Sequence, residues 1–82
     1  MRIKEIVDNQ IRQWGLVSQE EHSESRTYLM SLDGEDRHLA DEVEAEFRLE
    51  FENRYPDCVV ESKNWASGFH QKSVQIVVKK QS

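Results

Sequence analysis

Carboxylates are the most abundant side chains in this 82-residue sequence that could do chemistry, and most of them lie in one segment. Residues 33–52 hold nine acids and two arginines, which sum to −7, while the whole chain carries −5. Two such carboxylates act as general acid and base only if burial shifts the pKa of one and a cleft holds a substrate. The acids fall on the polar side of a predicted helix, so we predict no catalytic pair.

The acidic side of this helix is instead a candidate protein-binding surface. Regularly spaced carboxylates imitate a row of phosphates and complement a basic, nucleic-acid-binding groove on a partner protein. The alternative interpretation is a solvated face that only keeps the protein in solution. The candidate partner-binding acids are Asp41, Glu42, Glu46 and Glu52.

Trp65 and Phe69 are the second candidate binding group, near the tip of a predicted hairpin. We expect them to fold inward and cap the core against Trp14. The alternative is an exposed interface anchor, because tryptophan is enriched among the residues that dominate binding energy. Residues 53–82 also carry five basic and two acidic residues, a net charge of +3. The hairpin is therefore a candidate surface for stacking single-stranded bases.

The remaining reactive side chains form no recognisable site. His22, His38 and His70 lack the short spacing of zinc ligands, and a single cysteine, Cys58, cannot complete a zinc site. We expect three surface histidines and a buried thiol that packs as a small hydrophobe. The sequence has no nucleophile elbow and no phosphate-binding glycine loop. We therefore predict no enzymatic activity, no metal and no cofactor.

Hydrophobic periodicity predicts the elements that position these groups, in the order α-β-α-β-β. Residues 2–14 have helical apolar spacing and end at Gly15, a typical left-handed terminator. The wholly polar residues 18–25 predict a solvated loop. The predicted strands, with β-favouring or alternating residues, are 26–32, 58–65 and 73–80, with a hairpin loop over 66–70.

The second helix is predicted over residues 34–53. Asp33 is the expected N-cap, Asp36 occupies the third helical position, and Pro56 ends the helix. Four-residue spacing defines the apolar face that should cover the sheet: Leu39, Val43, Phe47 and Phe51.

These elements predict one α+β domain over residues 1–82, with a three-stranded sheet under the acidic helix. Strands 1 and 2 are expected to be parallel through a right-handed crossover, and strands 2 and 3 to form an antiparallel hairpin. The second face of the sheet then presents Leu29, Val59 and Val77, and also Trp65 if this residue does not fold inward. The first helix either packs on that face or lies beside the second helix, which leaves the face open for binding.

The strand–helix–strand–strand order, with Arg54-Tyr55-Pro56-Asp57 after an acidic helix, resembles the small damage-inducible proteins that modulate the RecA filament. The resemblance covers residues 26–80 and implies a non-enzymatic modulator. Two departures set limits: the acidic final helix of that family has no counterpart here, and the first helix is extra.

Composition completes the sequence-based interpretation. We predict no signal peptide and no membrane-spanning segment, and one free cysteine fits the reducing cytoplasm. We expect a small acidic inhibitor or modulator that binds a protein with a basic surface stoichiometrically, a role typical of phage or mobile-element accessory proteins. Single-stranded nucleic-acid binding and a structural homodimer are the alternatives. The net charge of −5 argues against duplex nucleic acid.

Overall fold

The computed structural model describes residues 2–22 and 24–81 of the chain. Its helices and strands follow the predicted order, and the fold is α+β. The elements are helix α1 (Arg2–Trp14), strand β1 (Arg26–Asp33), helix α2 (Ala40–Arg54), strand β2 (Cys58–Gly68) and strand β3 (Gln71–Lys80), with short 3-10 helices at Gln19–His22 and Gly34–Leu39. No helix in this part of the chain is both long and apolar enough to cross a bilayer.

Helix α1 has the bounds that the sequence predicts. Its apolar face buries Val7 and Ile11. Gly15 adopts a left-handed conformation, with φ of 60°, and its N–H donates to the Ile11 carbonyl at 3.1 Å. Glycine takes this conformation without the steric cost that a side chain imposes, so the predicted helix end is confirmed.

The sheet has the strand order β1-β3-β2, and both outer strands are antiparallel to β3. The predicted antiparallel hairpin of β2 and β3 is therefore confirmed. Strands β1 and β2 run in the same direction, as expected, but β3 lies between them and they share no hydrogen bonds. The last strand of the chain is thus the central strand of the sheet.

Helix α2 covers one face of this sheet. Val43, Phe47 and Phe51 have no exposed surface, and they pack against a cluster that includes Val74 and Ile76 of the central strand. Leu39, the fourth predicted core residue of this helix, is half-buried against the same cluster. The predicted buried face is confirmed, because four-residue spacing keeps these side chains on one side of the helix.

Helix α1 lies beside α2 on the same face of the sheet. The ring centroid of Trp14 is 5.2 Å from that of Phe47 on α2 and 5.2 Å from that of Tyr28 on β1. A bidentate contact also fastens the start of α1, where the Arg2 guanidinium meets the Asp36 carboxylate at 2.6 and 3.3 Å. The second of the two packing alternatives is therefore the one adopted, and the other sheet face is left without a helix.

The second helix begins later than predicted. Residues 34–39 form a 3-10 helix, and the Asp33 side chain makes no capping hydrogen bond. Gly34 has a left-handed φ of 58°, and its N–H donates to the His70 carbonyl in the hairpin turn at 3.1 Å. The predicted side-chain cap at Asp33 is therefore wrong. A backbone contact with a distant turn holds the chain after β1 instead.

The hairpin between β2 and β3 is tighter than predicted. Strand β2 continues to Gly68, and the turn consists of Phe69 and His70 alone. His70 has a φ of 55°, a left-handed conformation that histidine adopts more readily than most residues. The register shifts between Ala66 and Gly68, which marks a bulge near the end of the edge strand.

Candidate functional site

The outward side of α2 combines carboxylates with an exposed leucine. We call this surface the acidic helix face, and it consists of Asp41, Glu42, Ala45, Glu46, Leu49 and Glu52. Leu49 lies opposite the buried Phe47 on the helix and is 54% exposed. Its neighbours three and four residues away are Ala45, Glu46, Glu52 and Asn53, so two acids and one amide border an apolar centre.

The four predicted acids of this face differ in how they are held. An Asp41 carboxylate oxygen accepts a hydrogen bond from the Asn64 amide on β2 at 3.0 Å. Glu46 is half-buried, with a carboxylate oxygen 4.0 Å from Lys4 Nζ on α1. Glu42 and Glu52 are exposed and have no hydrogen bond or ion pair within residues 2–22 and 24–81. These two carboxylates can pair with a partner without first breaking an internal contact.

Leu49 was missed in the sequence-based interpretation. It lies two residues from both Phe47 and Phe51, out of phase with the apolar face. A large aliphatic residue at this phase of an amphipathic helix must point away from the core, and this phase is the signal that could have identified it.

The face of the sheet that carries no helix is the second candidate surface. We call it the open sheet face, and its apolar members are Leu29, Val59, Trp65 and Val77. Leu29 is 54% exposed, Val59 41% and Trp65 37%. Charged residues divide this apolar surface: Glu61 pairs with Lys79 at 2.9 Å, and Lys63 lies between Glu61 and Trp65 on the same strand face.

Trp65 and Phe69 do not fold inward, so that prediction is wrong. Trp65 lies on the open sheet face because strand alternation places it opposite the face of Val60, and Lys63 Nζ lies 5.1 Å from the centre of its ring. Phe69 is 93% exposed in the hairpin turn. Trp14 instead enters an aromatic cluster with Phe47 and Phe51. The predicted site residues therefore do not form one surface. The acids lie on α2, Trp65 lies on the opposite side of the sheet, and Phe69 lies in the hairpin turn.

His22 is fully buried, which corrects the prediction of three surface histidines. Its Nδ1 lies 3.2 Å from the Ser18 carbonyl, and its Nε2 lies 2.9 Å from the Tyr28 hydroxyl. A carbonyl only accepts, so the neutral ring donates from Nδ1 and accepts from the tyrosine at Nε2. The Tyr55 ring stacks nearby, at a centroid distance of 4.2 Å. These contacts hold the Gln19–His22 helix against the core, so residues 18–22 are not the solvated loop that their polarity predicts.

Burial governs the protonation of this cluster. Burial lowers the pKa of His22, and the positive charge of Arg26 lowers it further. The hydrogen bond to the Ser18 carbonyl and the charge of Glu21 raise it, but burial is the largest effect. Burial likewise raises the pKa of the Tyr28 hydroxyl. The cluster is therefore a neutral, hydrogen-bonded packing unit, with no exposed histidine surface for a substrate to reach.

Two shallow pockets lie on the described surface. One, of about 140 Å³, is lined by Gln19, Asp57, Cys58 and Lys80, and Cys58 is half-buried rather than fully buried. The other, of about 220 Å³, lies on the open sheet face and includes Lys63 and Val77. Both are smaller than the roughly 300–1,000 Å³ of typical small-molecule sites. The described residues also hold no cluster of three or more histidine, cysteine, aspartate or glutamate side chains that could bind a metal.

Comparisons with known proteins found no matching family model, no curated protein and no solved structure with significant similarity to this chain.

Proposed function

We propose that this protein is a non-enzymatic modulator that binds a larger protein stoichiometrically through the acidic helix face. The observation that carries this proposal is the exposed Leu49 with the carboxylates of Glu46 and Glu52 beside it on the helix. Protein interfaces typically combine a desolvated apolar anchor with a polar rim. The partner we infer has a basic surface, because Glu42 and Glu52 are exposed and need cations when they are desolvated.

Charge distribution on the fold supports this choice of surface. The acids of α2 lie on the helical side of the sheet, whereas the open sheet face carries Lys63 and Lys79 beside Glu61. Such separation gives the protein one strongly acidic side, which accelerates and orients association with a basic partner. A nucleic-acid-binding groove is a basic surface of this kind, and the RecA filament suggested by the resemblance is one partner to test. We place the protein in the cytoplasm, where the free Cys58 thiol stays reduced, and we propose a phage or mobile-element origin.

The acidic helix face makes a direct prediction. We expect the variant Asp41→Asn, Glu42→Gln, Glu46→Gln, Glu52→Gln to bind its partner more slowly and with a flatter dependence on salt, because electrostatic attraction acts mainly on association. Its stability should change little, typically within ±0.5 kcal/mol at each of the exposed Asp41, Glu42 and Glu52, and Glu46 loses only a long contact with the exposed Lys4. The measurement is partner recovery from bacterial lysate at low and high salt, followed by association kinetics with the recovered partner.

The matched control neutralises four acids outside this face: Glu5→Gln, Glu24→Gln, Glu35→Gln and Glu61→Gln. All four are exposed. Both variants neutralise four acids, so the control has the same net charge as the test variant. We expect the control to retain most of the wild-type association rate. Equal losses for both variants would mean that only net charge matters, and no loss for either would remove the acidic helix face as the recognition surface.

Single-stranded nucleic-acid binding by the hairpin is the second candidate function. It is favoured by the exposed Trp65, by Lys63 over its ring and by the fully accessible Phe69 at the tip. Stacked bases combined with basic groups are the common basis of such binding. The two candidate functions use opposite sides of the sheet. One protein can therefore have both functions.

The charge distribution predicts how nucleic acids will behave. We expect no appreciable affinity for duplex DNA at physiological salt, because binding requires clustered cations that release counterions and the chain carries −5. Electrophoretic shift assays with duplex DNA, single-stranded DNA and single-stranded RNA test this expectation. A Trp65→Ala variant is the matched probe: a single-strand complex that it abolishes would support the second candidate. A tight, salt-sensitive complex with duplex DNA would contradict the modulator proposal and favour direct nucleic-acid binding.

A further inference from the structure

The segment that joins α1 to β1 is held to the rest of the protein by side chains. We call residues 16–25 the strap. Among the described residues, no backbone hydrogen bond joins the strap to another helix or strand. The Val17 carbonyl accepts from the Tyr55 hydroxyl at 2.6 Å, and Gln19 exchanges hydrogen bonds with Asp57. The remaining anchor is the buried ring of His22. Segments with few backbone hydrogen bonds to their surroundings open at lower free energy than core strands.

The contacts of His22 suit only the neutral ring. Its Nδ1–H donates to the Ser18 carbonyl, and its Nε2 accepts from the Tyr28 hydroxyl at 2.9 Å. A second proton, on Nε2, would face the hydroxyl hydrogen of Tyr28. The tyrosine would have to turn that hydrogen away, and among the described residues its hydroxyl has no other acceptor.

The charged groups around the ring do not offset a positive charge on it. Arg26, on β1, lowers the pKa of both His22 and Tyr28, so its positive charge acts on this same place. Glu21, on the same short helix, raises the pKa of His22, but its effect is smaller than that of Arg26. Tyr55, at the end of α2, stays neutral because burial raises its pKa. A protonated His22 would therefore be buried near a cation without a hydrogen-bonded carboxylate, which is unfavourable.

We propose that the strap is a pH-dependent switch, in which protonation of His22 releases residues 16–25 from the core while the helices and the sheet stay folded. Release uncovers the ring of Tyr55, which is only 3% exposed when the strap is in place. It also opens the pocket beside Cys58, because Gln19 forms one wall of that pocket. The protein thus presents an additional aromatic surface under acidic conditions. This inference goes beyond the proposed modulator function and does not depend on it.

Local release is favoured over global unfolding because the neighbouring elements are complete without the strap. Helix α1 ends at Gly15, and β1 pairs with β3 from Arg26 onwards. The ring of Trp14 keeps its contact with Phe47, which does not involve the strap. The unfavourable charge is also relieved as soon as the His22 ring reaches water, so no further unfolding is needed.

The test is NMR spectroscopy of the full chain between pH 7.5 and pH 5, a range in which most carboxylates stay ionised. We expect the nuclear Overhauser contacts between the rings of His22 and Tyr55 to disappear, while those between Trp14 and Phe47 persist. The released fraction should rise by up to about tenfold for each pH unit below about 6.5, until the folded-state pKa of His22 is reached. Loss of both sets of contacts at the same pH would overturn the proposal, as would a His22–Tyr55 contact that persists unchanged at pH 5.

Three variants test the mechanism. His22→Phe keeps a ring in the strap but cannot take a proton, so its strap should not respond to pH. Arg26→Glu leaves the buried ring unchanged and places a carboxylate near it, so a protonated His22 is tolerated in place and the released fraction at pH 5 should be smaller than in wild type. The matched control is Lys63→Glu, which makes the same charge change on the opposite side of the sheet and should keep the wild-type response. A wild-type response in His22→Phe or in Arg26→Glu would contradict the switch.

Discussion

Replacing Phe47 with alanine is expected to leave the protein largely unfolded at room temperature. Phe47 has no exposed surface and contributes to the aromatic cluster, with its ring centroid 5.2 Å from that of Trp14 and 6.4 Å from that of Phe51. Truncating a buried phenylalanine costs about 3–5 kcal/mol because of lost burial and the cavity left behind. A domain of this size has roughly 3–5 kcal/mol of net stability, so one such cavity can remove it. Urea titration followed by circular dichroism measures the loss.

The control for this variant is Leu49→Ala, a truncation on the same helix at an exposed position. We expect its free energy of unfolding to stay within about 0.5 kcal/mol of wild type, as for most surface substitutions. A cooperative transition close to wild type for Phe47→Ala would contradict the packing described for α2.

His22→Ala is expected to have the second largest effect, a loss of about 2–4 kcal/mol at pH 7.5. The estimate combines the cavity left by a fully buried ring with the unpaired Tyr28 hydroxyl. The contact with Tyr55 also disappears, and this tyrosine donates its hydroxyl hydrogen to the Val17 carbonyl at 2.6 Å. The chain before β1 therefore loses one of the contacts that hold it to the core, while the hydrogen bonds of Gln19 with Asp57 remain. The exposed His38→Ala is the control, and it should remain close to wild type.

The same histidine should make stability depend on pH. Burial lowers the pKa of His22 in the folded state, so the unfolded chain binds a proton more readily. The free energy of unfolding should therefore fall as the pH decreases below about 6.5, the ordinary histidine value, and continue to fall until the folded-state pKa is reached. Urea midpoints at pH 7.5 and pH 5.5 measure this loss. His22→Ala should show a smaller change between these two pH values, and an undiminished change would assign the pH dependence to other groups.

Much of the local structure could be read from short-range patterns. The bounds of α1, its end at Gly15 and the buried face formed by Val43, Phe47 and Phe51 depend on residues within a few positions of one another. Strand alternation likewise fixed the face of Val74, Ile76 and Val78. The charge of the α2 segment is a property of composition, so it was known before any folding was considered.

The candidate surfaces could be predicted less well. The acids of α2 were expected to be exposed, and Glu42 and Glu52 are, but the half-burial of Glu46 depends on where α1 lies. Trp65 was expected to fold inward against Trp14, with the second sheet face as the alternative, and the strand alternation places it on the open sheet face. His22 gave no local signal of burial, since the rings that cover it, those of Tyr28 and Tyr55, are six and thirty-three residues away.

The sequence by itself determined which segments are helix and strand, which side of each is apolar and where negative charge concentrates. These properties follow from local sterics and from the repeat lengths of helix and strand. Only the tertiary structure decided the strand order β1-β3-β2, the position of α1 beside α2 and therefore the open sheet face. It also decided the 3-10 start before α2, through the contact of Gly34 with His70, and the burial of His22. These outcomes depend on which distant segments of the chain bury their apolar surfaces against each other. An apolar stripe along a helix or strand shows that it packs on another segment, but it does not show which segment that is.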